Sequence, residues 1–452
     1  MFGKFGMLGA VAVAAVAADA ATITKQIVRQ QWPWQEKVRI DYVLDAAAGE
    51  QSDVVLKVTD PATDRDVTGL STAQSGDLEY VTAGEHVLYW TPDKAEFADG
   101  KIPPMLKFEL SAKAPIGKKY LVIEFSHGDA YEADRKYTVT YEDELDVAGN
   151  ISTFRTTKMA FRRCRAGTYL MGSPETEEGR NPGRPNLPET LHRVTLTKDF
   201  YLAVMPMVAA HAWYFWEKAG GDCYYTWQNF FATSKIGPVR RGDSSNWSAD
   251  STVDADSYIG KARVHLNAGD LPSGYVLDLP TEAQWEYACR AGTVSPWNDG
   301  SSTDYYDTYG QGAYSKPAGE VAAVNGSDHN LDKLGQYMGN DGLWRQNIPA
   351  NQKYPGGYAP NAWGFYDMHG GVNELCLDFF HDSASGNVDL GSEPQTDPRC
   401  TTRTGYQICR GGEAFALANA CRSAARCYKA LVNTMNNVAF RLAIVPEVSS
   451  GE

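Results

Sequence analysis

All eight cysteines of the 452-residue chain lie beyond residue 160, and the part before them follows a different pattern. In the earlier part, apolar and polar residues alternate in short runs, whereas the later part is rich in Gly, Trp, Asn and long irregular stretches. A chain of this length usually forms two domains. The contrast predicts two modules, of which only the second contains cysteine: Cys164, Cys223, Cys289, Cys376, Cys400, Cys409, Cys421 and Cys427.

Residues 21–145 show the period-two pattern of half-buried antiparallel strands. Alternating apolar runs lie at 38–44, 54–58 and 106–110, with turn clusters such as DPATD between them. A small all-β sandwich resembling an immunoglobulin or fibronectin type III module satisfies this pattern. The acidic, Gly- and Asn-containing residues 146–157 are predicted to form the linker to the second module.

The first 20 residues, MFGKFGMLGAVAVAAVAADA, combine an early lysine, an apolar run and small residues near position 20. This combination is typical of a secretory signal peptide cleaved after Ala20. A membrane anchor is the alternative, but the apolar run is shorter than the roughly 20 residues that a bilayer requires. We therefore expect a secreted or periplasmic protein with no membrane span after cleavage. Residues 447–452 are predicted to be a short tail.

The formal net charge of −14, with no basic block, argues against nucleic acid as a partner because a phosphate backbone would be repelled. The cysteine count permits disulfides in an exported chain, but the connectivity cannot be deduced from sequence. No C-x-x-C occurs, so zinc-ribbon spacing is absent.

One helix of the second module has clear end signals. Over residues 279–293, Thr281 is a suitable N-cap and Gln284 sits at the position that completes a capping box. Asp278 and Glu282 lie beside this cap. We interpret them as solvated or capping carboxylates rather than as an acid–base pair.

Seven motifs follow one another in the second module: GTYLMGS (167–173), HRVTLTKDFYL (192–202), LPTEAQWEYACRAGT (279–293), NAWGFYDMHGGVNELCLDFF (361–380), CRGGEAF (409–415), RSAAR (422–426) and AFRLA (439–443). With these ordered motifs, residues 158–446 resemble the formylglycine-generating enzyme, or sulfatase-modifying factor, family. The resemblance implies a loop-rich α+β domain with a C-type-lectin-like fold, preceded here by the all-β sandwich.

The resemblance leaves the activity open, because the family includes copper oxidases that convert a sulfatase cysteine to formylglycine as well as non-catalytic binding domains. In the copper enzymes, one cysteine follows the first arginine of R-C-A-x-R, and its partner lies five residues earlier. Those positions are Ser423 and Ala418 in this chain. Soft Cu(I) takes thiolate ligands, which neither residue supplies. Copper is therefore not expected.

Two cysteines flank the lost copper positions. Cys421 and Cys427 are weak catalytic candidates, together with Ser423 and Arg426. Positions six apart on a strand lie ~20 Å apart, so only a turn could let both thiols hold one ion. Structural or free thiols, or a disulfide, are the favoured interpretation, and a displaced metal pair is the alternative. Arg422 and Arg426 are predicted to be buried and paired with carboxylates or carbonyls.

Two other metals remain to be considered. The histidines are scattered singly without H-x-x-x-H, so a histidine-bound iron is not expected. In the family, a G-N-V-W-E-W loop helps hold calcium through its Asn, its Glu and backbone carbonyls. Here the loop is GGVNEL (370–375), with Gly371 in place of the Asn. The resemblance therefore implies a weakened calcium site with Glu374 and Val372 as its candidates.

The sequence leaves two candidate functions, one a binding protein and the other an enzyme. In the first, the second module is a catalytically degenerate binding or scaffold domain, whose C-terminal surface recognises an exported protein or a glycan through polar and aromatic side chains: Glu413, Phe415, Asn419, Tyr428, Asn433 and Asn436. In the second, it is a copper- and oxygen-dependent oxidase of a sulfatase cysteine, with a sulfatase as its partner. Ala418 and Ser423 favour the first.

Overall fold

The computed structural model describes most of the chain between residues 21 and 447, so the predicted signal peptide and all but the first residue of the predicted tail lie outside the described residues. By compactness the chain divides into two units, the first comprising Met1–Thr68 and Gln74–Pro115 and the second Gly69–Ala73 and Ile116–Glu452. The described segments are 21–31, 35–94, 97, 100–103, 105–125, 136–180, 187–208, 211, 258–306, 327–341, 355–380, 391–402, 404–414, 416–430 and 438–447.

Two antiparallel sheets account for the strands of the N-terminal part. One has the order β1-β2-β6-β5 and the other β4-β3-β7. The strands are β1 (Thr22–Gln31), β2 (Gln35–Asp45), β3 (Asp53–Asp60), β4 (Arg65–Asp66), β5 (Ser71–Gly76), β6 (Gly84–Pro92) and β7 (Lys107–Lys113).

The predicted alternation is confirmed in β2. Its apolar residues Val38, Ile40, Tyr42 and Leu44 are all buried, while the residues between them are more exposed. Trp90 on β6 lies opposite Val38 in the ladder and is fully buried. Side chains of a strand point alternately to opposite faces, so one face of the sheet forms this core.

Side-chain amides link β1 to β7, the end strand of the other sheet. Gln26 Nε2 donates a hydrogen bond to the Phe108 carbonyl (2.7 Å), and Gln30 Nε2 donates one to the Leu106 carbonyl (3.0 Å). The two sheets are thus joined at this side by side chains rather than by a backbone ladder.

The second unit contains a six-stranded sheet (β14-β22-β13-β10-β8-β9), a four-stranded sheet (β20-β19-β17-β21), a three-stranded sheet (β11-β12-β18) and the pair β15-β16. Its strands are β8 (Tyr120–Glu124), β9 (Thr138–Glu142), β10 (Lys158–Cys164), β11 (Gly167–Met171), β12 (His192–Leu196), β13 (Phe200–Ala203), β14 (Tyr275–Asp278), β15 (Tyr305–Tyr306), β16 (Ser327–Asp328), β17 (Asn373–Phe379), β18 (Gln395–Thr396), β19 (Tyr406–Arg410), β20 (Cys427–Ala430), β21 (Val438–Phe440) and β22 (Ala443–Pro446).

The helices within the described residues are few and short: α1 (Ile151–Phe154), α2 (Tyr258–Val264), α3 (Glu282–Arg290), α4 (Leu331–Leu334) and α5 (Met338–Asp341). The structure is mostly β, with 40% strand against 11% helix, which agrees with a loop-rich frame carrying few helices. No helix within the described residues is both long and apolar enough to cross a membrane.

The boundary between the compact units differs from the linker expected at 146–157. Strands β8 and β9, which the alternation assigned to the first module, lie in the same sheet as β10. Within the expected linker, Phe154 of α1 packs against Tyr120, Val122 and Ala160. The physical reason is that β8 pairs directly with β10, so the compact division falls between Pro115 and Ile116.

The end signals of the predicted helix over 279–293 are confirmed in α3. Gln284 N donates to Thr281 Oγ1 (3.1 Å), and Thr281 N donates to Gln284 Oε1 (2.9 Å), which completes the capping box. Ala291 at the C-cap adopts a left-handed conformation with φ of 46°, and the helix ends at Arg290, two residues before Gly292.

Candidate functional site

The segment from Cys409 to Cys427, which we call the site loop, carries most of the candidate residues. It leaves β19, contains a 3-10 helix (Ala418–Cys421) and returns as β20, and a disulfide joins Cys409 to Cys427 at its base. Gly412 has a φ of 77°, and a Cβ there would lie 2.5 Å from Cys421 Sγ. Only glycine fits this left-handed and crowded position.

Both residues at the copper positions belong to the core of the second unit. Ser423 is fully buried, and its Oγ donates to the Pro296 carbonyl (3.0 Å) and lies 3.8 Å from Cys289 Sγ. Ala418 is also fully buried, in an apolar cluster with Cys421 and residues of other segments: Trp297, Leu331, Leu334 and Tyr337. Neither position offers a thiolate, so this pair does not fit Cu(I).

Arg410 holds the site loop from the inside. Its guanidinium donates to the carbonyls of Ser423 (2.9 Å), Ala424 (2.9 Å) and Ala425 (3.0 Å), and it forms a buried ion pair with Glu286 of α3. The planar guanidinium presents several donors at fixed angles, so one side chain fixes three backbone positions of the loop.

Both arginines of RSAAR are paired with carboxylates, as predicted. Arg422 donates to Glu189 (2.7 and 2.9 Å) and to Glu177, and Arg426 makes two hydrogen bonds with Glu282 (2.7 and 2.8 Å). Although burial opposes its charge, Glu189 and Glu177 raise the pKa of Arg422 above its usual value. These ion pairs hold the loop against α3, Glu177 and Glu189.

The free thiols near Ser423 are protonated at neutral pH. Burial raises the pKa of Cys289 to about 12 and that of Cys421 to about 12. His369 Nδ1 donates to the Cys421 carbonyl (2.7 Å), and its Nε2 accepts from Asn298 N (3.2 Å), which defines a neutral tautomer. Burial lowers the pKa of His369 to about 4. The imidazole therefore links three segments of the site without carrying charge.

The proposed calcium ligand Glu374 has other partners. Its two carboxylate oxygens accept hydrogen bonds from Arg441 (2.8 and 2.9 Å) and from Trp285 Nε1 (2.7 Å), and both charged side chains are fully buried. A calcium ion at this carboxylate would lie beside the Arg441 cation, so the arrangement does not fit calcium at Glu374. Val372 is buried close by, and its N–H donates to the Gly370 carbonyl.

No group of three or more His, Cys, Asp or Glu side chains in the described part of the chain is arranged to hold a metal ion.

Three of the six predicted ligand-surface residues are described. Tyr428 on β20 stacks on Phe380 (4.0 Å between centroids) and meets Tyr406 edge to face (5.2 Å). Glu413 and Asn419 are half-buried in the site loop, and their backbone carbonyls accept hydrogen bonds within it. The other three lie outside the described residues: Phe415, Asn433 and Asn436.

The interpretation of Asp278 and Glu282 as solvated is wrong, since each is only 1% exposed. Asp278 pairs with Arg263 (3.2 Å), and Glu282 pairs with Arg426. Arg426 lies 144 residues from Glu282, so this pairing left no local signal in the sequence. The four-residue spacing of Glu282, Glu286 and Arg290 could have indicated a charged helix face turned towards buried arginines.

Sequence reasoning also missed Asp378. Its carboxylate accepts hydrogen bonds from Glu282 N (2.6 Å) at the start of α3 and from Cys400 N (2.8 Å). Burial raises the pKa of Asp378 to about 6. The side chain thus joins β17, α3 and the segment before β19.

The family match covers the part of the chain that contains the sheets of the second unit and the site loop. A model of the sulfatase-modifying factor enzyme 1-like domain matches residues 151–445. The chain therefore belongs to this family, which confirms the assignment made from the seven motifs.

The chain is similar to parts of several solved structures, among them Treponema denticola variable protein 1, at 16% identity and a TM-score of 0.40, covering 64% of this chain and 95% of that one. PvdO from Pseudomonas aeruginosa has 20% identity and a TM-score of 0.37, with 63% and 94% covered. CarF has 14% identity and a TM-score of 0.30, with 62% and 96% covered. No curated protein matches the chain.

Proposed function

We propose that the chain is an exported binding protein whose sulfatase-modifying-factor domain, with its C-type-lectin-like organisation, has lost copper chemistry and presents the site loop and β20 to a ligand. The supporting observation is the state of the two copper positions. Ala418 and Ser423 are fully buried and engaged in packing and in a hydrogen bond to the Pro296 carbonyl.

The nearby thiols support the same proposal. Copper binding requires thiolates, and a thiol whose pKa is raised to about 12 holds its proton at neutral pH. Both Cys289 and Cys421 have a pKa raised in this way. Cys427 is bound to Cys409 in a disulfide. None of these sulfurs is therefore a ready ligand for Cu(I).

The test is a Cu(I) competition titration of the protein beside an A418C/S423C variant, which places two thiols at the family positions. We expect stoichiometric Cu(I) binding only in the variant. Circular dichroism and thermal unfolding of both proteins control for a folding defect. Tight one-to-one binding by the unaltered protein, with oxidation of a cysteine in a sulfatase-derived peptide, would instead establish the oxidase.

The ligand class is proposed to be a glycan or an exported protein, since half-buried aromatic and amide side chains suit polar recognition. Tyr428 and Asn419 are the described residues on which this rests. A glycan and protein-ligand screen with the intact chain should lose its hits in a Tyr428→Ala variant. Tyr89→Ala, in the first unit beside Lys37, is the matched control and should retain them. Equal loss in both variants would contradict the assigned surface.

A further inference from the structure

The Cys409–Cys427 disulfide closes the site loop at a defined point of its sheet. The two cysteines lie directly opposite each other on β19 and β20, with 5.0 Å between their Cα atoms. The loop that they close contains the 3-10 helix, Ser423 and both arginines of RSAAR. The bridge is therefore placed where it can fix or release one strand of the sheet without entering the copper positions.

The two sulfurs differ in access and surroundings. Cys409 is fully buried, whereas Cys427 is half-buried. Cys427 Sγ lies 3.0 Å from Asn373 Oδ1 and 3.1 Å from the Cys409 carbonyl oxygen. A disulfide sulfur has no proton to donate, but the single S–H of a Cys427 thiol could be donated to either of these oxygens. An acceptor is thus already in place for the Cys427 thiol, and an attacking thiolate would reach Cys427 before the fully buried Cys409.

The site loop has anchors that do not depend on the disulfide. Arg410 binds three carbonyls of the loop, and Arg422 and Arg426 are paired with buried carboxylates. By contrast, β20 is held by its ladder with β19 and by the ring of Tyr428. Opening the bridge should therefore loosen β20 and leave the remainder of the loop in place.

We propose that Cys409–Cys427 is a redox-active disulfide that exchanges with an external dithiol and thereby controls the order of β20. A thiolate of the dithiol attacks Cys427 Sγ, the bond to Cys409 Sγ breaks, and Cys409 leaves with the electron pair and takes up a proton. The second thiol of the reagent then attacks the mixed disulfide and releases Cys427 as a thiol. Two electrons enter the protein, and the dithiol becomes a disulfide. This step is independent of the ligand and of copper.

The test is equilibration of the folded protein in buffers with different ratios of reduced to oxidised dithiothreitol, followed by alkylation and peptide mass spectrometry. We expect Cys409 and Cys427 to become reduced together while far-UV circular dichroism is unchanged. Hydrogen exchange should lose its protection at Tyr428–Ala430 and keep it in α3. Reduction that occurs only in denaturant, or that unfolds the second unit, would overturn the proposal, as would free thiols at both positions in the oxidised protein.

Two variants separate the switch from a folding defect. C409S/C427S should reproduce the exchange pattern of the reduced protein at every dithiothreitol ratio. Cys400→Ser, which removes another half-buried thiol, should titrate as the unaltered protein does. A C409S/C427S protein with the oxidised exchange pattern would show that the bridge does not control β20, and would overturn that part of the proposal.

Discussion

The N-terminal sheets and the site loop reach burial by opposite means. In β2, Ile40 is buried because a short apolar alternation places it on one face of a sheet. In the site loop, Arg410 and Arg422 are buried because each meets carboxylates, at separations of 124 residues for Glu286 and 233 residues for Glu189. Apolar burial tolerates many neighbours, whereas a buried charge requires one particular partner. The second unit is thus specified by particular buried ion pairs, whereas the strands of the first unit are specified by a pattern of alternating apolar residues.

The largest expected effect is the loss of one member of a buried ion pair. Glu374→Ala leaves Arg441 fully buried without its carboxylate, which we expect to destabilise the second unit by about 3–5 kcal/mol in urea unfolding. Glu109→Ala, which breaks an exposed pair with Lys107, should leave the unfolding midpoint unchanged. Equal shifts in both variants would remove the distinction between the two units. An E374L/R441L double variant should recover part of the loss, because no charge is then left unpaired, although Trp285 Nε1 and the Ala203 and Tyr366 carbonyls lose their partners.

Acid pH should also act on the second unit through His369. Its folded pKa of about 4 lies below the ordinary value of 6.5, so its contribution is complete above pH 6.5 and is lost as the pH falls towards 4. The expected loss is about 3 kcal/mol over that window. Unfolding measured from pH 7 to pH 4 for the protein and for His369→Asn isolates this group from Asp378. Parallel pH profiles for the two would contradict the assignment.

A smaller effect is expected at the start of α3. Thr281→Ala removes the acceptor for Gln284 N and should cost about 1 kcal/mol in urea unfolding. Thr281→Ser keeps the hydroxyl and should unfold as the unaltered protein does. The capping bond is local in sequence, unlike the Glu282–Arg426 and Glu286–Arg410 ion pairs. A cost as large as that of losing a buried ion pair would contradict the comparison.

An effect of similar or smaller size should come from a conservative change in the first unit. Ile40→Val removes one buried methylene and should cost about 0.5–1.5 kcal/mol in the unfolding transition of that unit. Leu110→Val, at a half-buried position on β7, is the control and should cost less. A larger loss at Leu110 than at Ile40 would show that the alternation in β2 does not mark the core.

These regions also differ in how far the sequence predicts them. The burial of Val38 and Ile40 and the capping box at Thr281 follow from spacing within a few residues, and the structure confirms each. The partners of Arg422 and Arg426 could be predicted only as a chemical type, because a buried guanidinium requires carboxylates or carbonyls. Which carboxylates they meet depends on how distant segments fold together.

The residues of the site also differ in how far the sequence predicts them. The positions of Ala418 and Ser423 follow from the motif order, and their lack of thiolates is a matter of residue type. The bridge between Cys409 and Cys427 could not be deduced, because several pairings of eight cysteines are compatible with the spacing. It becomes evident only when β19 and β20 are seen side by side. The pairing of Glu374 with Arg441 was equally hidden.

The glutamine contacts between β1 and β7 affect the tendency of the protein to aggregate at high concentration. A strand at the end of a sheet can template pairing with another chain through its exposed backbone groups. Here the carbonyls of Phe108 on β7 and of Leu106, just before β7, already accept hydrogen bonds from Gln26 and Gln30. A strand of another molecule would have to displace both amides before it could pair with this sheet. The two glutamines therefore oppose strand-to-strand aggregation at this edge.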